Sequence, residues 1–137
     1  MHTMHSGHMQ LIVKLVIWTL IEADAWGVSG RAEVIHQVSS TQFRRELFNW
    51  YTYYASQHPG KPLTQVADMT HKMLGTRSHP EFKLKAAETW GVLLFLPTLI
   101  DDSFQSLGEK GPALRSAVNY MIQHVQVMKS HGAILPA

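Results

Sequence analysis

The sequence predicts an all-α fold, a compact bundle of five to six antiparallel helices forming a single domain. Apolar residues recur at 3.6-residue spacing along several stretches. Capping signatures headed by serine, and closing glycines, punctuate those stretches. The 137 residues, 45% of them hydrophobic, suffice for one core without cross-links. There are no cysteines, which excludes disulfides, thiolate metal sites and cysteine nucleophiles.

The elements follow in order. Residues 1–9, with His2, His5 and His8, read as a flexible leader, and residues 10–137 as the helical domain. A first helix is expected over residues 10–26, its polar Gln10, Lys14 and Asp24 on one narrow stripe and the rest apolar, hence mostly buried. The apolar run 11–21 is about half the ~20 residues that cross a bilayer, and the run 91–100 is shorter still, so a cytoplasmic location is the default and no membrane contact is expected. The segment Gly27-Val28-Ser29-Gly30 should end the first helix and a short one over 31–38 should follow. Ser39 with Gln42 has the form of a capping box. Beyond it Phe43, Leu47, Trp50, Tyr51 and Tyr54 recur at i, i+4, i+7, i+8 and i+11, one continuous apolar face.

His58-Pro59-Gly60-Lys61 has the order of a type II turn. A fourth helix over 62–75, closed by Gly75, should present Leu63, Val66, Ala67, Thr70, Met73 and Leu74 inward. Ser78 and Glu81 form a second capping signature, opening a fifth helix over 79–96. Pro97 removes a backbone donor and should kink or break it, and a continuation through Phe104 and Leu107 should stop at Gly108. Gly111-Pro112 opens the last helix, with Leu114, Ala117, Val118, Met121, Val125 and Met128 as its inner stripe.

No catalytic constellation emerges. Gly27-Val28-Ser29-Gly30 lacks the nucleophile-elbow pattern, and there is neither a phosphate loop nor a dinucleotide fingerprint, so no cofactor is expected. Only 16% of residues are charged, against ~25% in an average domain. Apolar surface in excess of one core ordinarily ends in a subunit interface, and the expectation is a homodimer. Its candidate interface is a second stripe on the last helix, Tyr120, His124, Val127 and His131, flanking the inner one. His124 and His131 lie seven residues apart, about 10 Å by helical rise, too far to share one metal within a chain.

Two other functions stay open. Arg44, Arg45, Lys61, Lys72, Arg77, Lys83 and Lys85, beside outward Phe48 and Tyr53, form a candidate surface for RNA or single-stranded DNA. The net charge of +2 does not by itself argue for it. Glu33 with His36 and Asp68 with His71, each pair at i, i+3, resemble the carboxylate–imidazole pairs of metal-binding bundles, with Glu22 and Glu88 as lone carboxylates. The leading expectation is a non-enzymatic helical interaction module that self-associates and binds another macromolecule, a protein of unknown identity.

Overall fold

The computed structural model describes residues 2–27, 30, 32–67 and 84–130. Among the described residues five helices pack around one apolar core, and no strand occurs. The first helix, α1 (His2–Glu22), starts at His2 rather than Gln10, and Met9 is fully buried. Helix and core thus both reach into the stretch expected as a leader.

The exposed positions of α1 are His8, Leu11, Leu15 and Glu22; of the predicted polar stripe, Asp24 is exposed just beyond the helix, while Gln10 and Lys14 are half-buried. Gln10 donates from Nε2 to the Leu84 carbonyl at 2.9 Å, which couples α1 to the segment around Leu84. The helix closes as a Schellman motif, ahead of the expected glycines. Asp24 takes φ 56°, Ala25 N–H donates to Leu20 O at 3.1 Å, and Asp24 N–H donates to Ile21 O at 3.1 Å. Aspartate is among the few residues besides glycine that visit this conformation.

Helix α2 (Ala32–Gln57) is continuous, where a short helix and a separately capped one were expected. Ser39 and Ser40 lie inside it and are buried. A serine in a helix interior costs under about 0.7 kcal/mol relative to alanine, less than opening a helix end inside the core would. The predicted apolar face is present. Phe43, Leu47 and Tyr51 are buried, and Trp50 and Tyr54 sit half-buried at the rim.

The turn after α2 closes with Lys61 N–H donating to His58 O at 3.0 Å. Gly60 stays outside the left-handed region, so the turn is not type II. Residues 61–67 are not helical, which corrects the start expected at Pro62. The remainder of that helix and the Ser78–Glu81 signature lie outside the described residues.

Helix α3 (Ala86–Asp102) is the central element, packed between α1 and α5. It begins at Ala86, where Glu88 Oε1 accepts the Lys85 N–H at 3.0 Å and the buried Thr89 donates Oγ1–H to the Lys85 carbonyl at 2.9 Å. The helix runs on through Pro97. An interior proline costs about 3 kcal/mol. Against it stand the buried side chains of Leu93, Phe95, Leu96, Leu99 and Ile100, each contributing roughly 1.5–3 kcal/mol.

A short α4 (Phe104–Leu107) stops at Gly108, φ 55°, as predicted. The last helix, α5 (Lys110–Ser130), turns Leu114, Val118 and Val125 into the core, with Ala117, Met121 and Met128 half-buried beside them. Arg115 fixes it to the end of α3, donating from Nε and a terminal nitrogen to the two Asp101 oxygens at 3.0 and 3.3 Å.

Candidate functional site

The inner stripe of α5 consumes one face of that helix, and the second stripe remains outside. Tyr120 is 71% and Val127 53% exposed, and His124 is exposed as well. The Tyr120 and His124 rings stack nearly parallel, 8° apart, with centroids 6.3 Å from one another. His131, the fourth predicted member, lies outside the described residues. From 116 to 128 the sequence holds no Lys, Arg, Asp or Glu. Solvated helix faces ordinarily carry charge, so an exposed face this neutral is unusual. On α1, Leu11 and Leu15 are 62% and 51% exposed, a second apolar pair left outside the core.

A groove of about 500 Å³ runs between α2 and α3. Trp50, Tyr53 and Phe95 supply aromatic walls, and Glu46 and Asp102 supply carboxylates. Trp50 and Phe95 pack with ring centroids 5.5 Å apart. The Glu46 carboxylate is held by Trp26, whose Nε1–H donates to Oε2 at 2.6 Å. Sequence reading does not find this groove, because Glu46 and Asp102 meet only through the packing of α2 on α3. The one available signal is the recurrence of Glu46, Asn49 and Tyr53 at i, i+3 and i+7.

The predicted basic surface is divided. Arg45, Lys61 and Lys85 are exposed and Arg44 is half-buried, while Lys72, Arg77 and Lys83 lie outside the described residues. Arg45 is about 18 Å by helical rise from the end of α2, beyond which Lys61 follows. Tyr53, one of the two outward aromatics, lines the groove with Glu46 and Asp102, whose charge repels phosphate. The other, Phe48, stacks on Tyr51 with centroids 6.0 Å apart.

Glu33 and His36 fall in the first turns of α2, a helix longer than expected for them, but their side chains, like Asp68 and His71, lie outside the described residues. Glu88 is engaged in capping α3. Among the described residues no three His, Asp or Glu side chains could hold a metal ion together.

No protein-family model, curated protein or solved structure matches the chain. The functional reading therefore rests on these surfaces alone. Among the described residues, no helix is long and apolar enough to cross a membrane.

Proposed function

We propose that the chain is a helical interaction module that self-associates through the outer face of α5 and binds another macromolecule. The observation that carries this reading is the exposed, charge-free stripe Tyr120–His124–Val127. Its i, i+4, i+7 spacing is that of a coiled-coil seam. A two-fold axis across α5 sets each stripe antiparallel against its own copy, an isologous contact. No like charges oppose one another there, because the stretch carries none. Burying Tyr120 and Val127 also removes from water the apolar area that the core of one chain leaves outside.

The chain's lack of cysteine offers a clean test. His124→Cys, near the middle of the stripe, should give a disulfide-linked dimer under mild oxidation, while Gln105→Cys on α4 should stay without a cross-link. Equal cross-linking at both positions would mean random collision and would remove the support for this interface.

A further inference from the structure

The groove between α2 and α3 lies apart from the α5 stripe and has a chemistry of its own. Its lining combines two carboxylates, Glu46 and Asp102, with the rings of Trp50, Tyr53 and Phe95, and Asn49 and Thr98 add neutral hydrogen-bonding groups. No Lys, Arg or His lines it, although Lys and Arg outnumber Asp and Glu in the chain by 12 to 10. Arg115, the cation bound at the end of α3, is engaged by Asp101. Among the described residues no hydrogen bond or ion pair engages the Asp102 side chain.

Carboxylates and aromatic faces attract the same kind of guest. A ring presents its negative quadrupole to a cation within about 6 Å, and a carboxylate accepts the cation's N–H groups. The Trp26 bond already holds Glu46 in place, so less rotamer freedom is lost when a ligand docks. A planar guanidinium satisfies both features at once. It stacks on a ring and donates a two-pronged fork to a carboxylate, which a compact ammonium does less well.

The groove is also open, with Asn49, Tyr53, Thr98 and Asp102 all exposed. Small-molecule sites bury most of their ligand, whereas an open groove covers one face of a side chain presented from another surface. We propose that this groove receives an arginine side chain from a basic segment of a partner polypeptide. The proposal rests on the reading of the chain as an interaction module and names the chemistry of its partner; it does not depend on self-association.

The test is calorimetric titration at low salt with an end-blocked peptide of three arginines spaced by glycine. Its lysine and citrulline counterparts and free spermine serve as comparisons. The arginine peptide should bind with an affinity near the millimolar range or tighter, the lysine peptide more weakly and the neutral citrulline peptide not measurably. Tyr53→Ala should weaken binding about 2–5-fold, the equivalent of one exposed cation–ring contact. Asp102→Asn should weaken it further, and Thr98→Arg, which places a fixed cation in the groove, should abolish it. All three positions are exposed, and circular dichroism confirms that each variant is folded.

Failure of the native protein to bind the arginine peptide at several millimolar overturns the proposal. So does equal binding of the citrulline peptide, or indifference to all three substitutions. Spermine binding as tightly as the peptide would assign the groove to free polyamines instead. Repeating the titration on a Val127→Glu, His124→Glu double variant separates this outcome from the fate of the dimer, since groove binding should survive there.

Discussion

The Tyr51 hydroxyl accepts a hydrogen bond from the Val66 amide at 3.1 Å, joining the core face of α2 to the non-helical segment that follows it. Both residues are buried, so this bond decides whether residues 61–66 can lie against the bundle without an orphaned donor. Tyr51→Phe keeps the ring and removes the acceptor. The expected loss is about 1–3 kcal/mol, the cost of leaving a buried N–H unsatisfied, read by urea denaturation. A neutral result would mean that water reaches Val66.

The same hydroxyl gives a pH dependence. Burial pushes the Tyr51 phenol above its ordinary value; the Val66 N–H works against that shift, and the Glu88 carboxylate adds to it. The folded chain therefore holds this proton more tightly than the unfolded chain. The stability that results is fully present below the ordinary tyrosine range, about pH 10, and is lost as pH rises through the raised folded value. As pH rises above the ordinary tyrosine range, native protein should lose stability more steeply than Tyr51→Phe does. Parallel curves for the two would remove the phenol from the account.

Burial ranks the aromatic positions of α2. Phe43 is fully buried and packs edge-on against Phe95 with centroids 5.8 Å apart, whereas Trp50 is half-buried at the groove. Phe43→Ala should cost about 3–5 kcal/mol, and Trp50→Ala less. The reverse order in chemical denaturation would mean that the core centres on the groove side.

Gly91 lies within α3, and a Cβ there would stand 3.5 Å from the Thr64 carbonyl oxygen and 3.8 Å from Tyr51 Cε1. These are ordinary contact distances, and a glycine inside a helix costs roughly 0.5–1 kcal/mol relative to alanine. Gly91→Ala should therefore raise stability by a similar amount. A loss of more than about 1 kcal/mol would mean that the segment around Thr64 cannot give way.

Much of the fold was legible where periodicity and packing agree. The stripe from Phe43 to Tyr54, the stripe from Leu114 to Met128 and the stop at Gly108 could be read directly. Local signals failed where tertiary contacts overrode them. The Ser39–Gln42 signature is sound chemistry for a helix start, but burial of Ser39 and Ser40 carries α2 straight through it. Gln10 was assigned to an outer stripe from its polarity, yet the Leu84 carbonyl, 74 residues away, draws it to the segment around Leu84 and leaves Leu11 and Leu15 outside. The α5 stripe was visible because all its members sit on one helix. The groove was not, since its carboxylates come from separate helices and carry no shared spacing.

Sedimentation velocity at tens of micromolar addresses self-association most directly. The native protein should sediment as a dimer, and the Val127→Glu, His124→Glu double variant as a folded monomer, because two carboxylates on each copy would face their counterparts across the axis. A native protein that stays monomeric contradicts the account, and a dimer unchanged by both substitutions places the interface away from α5.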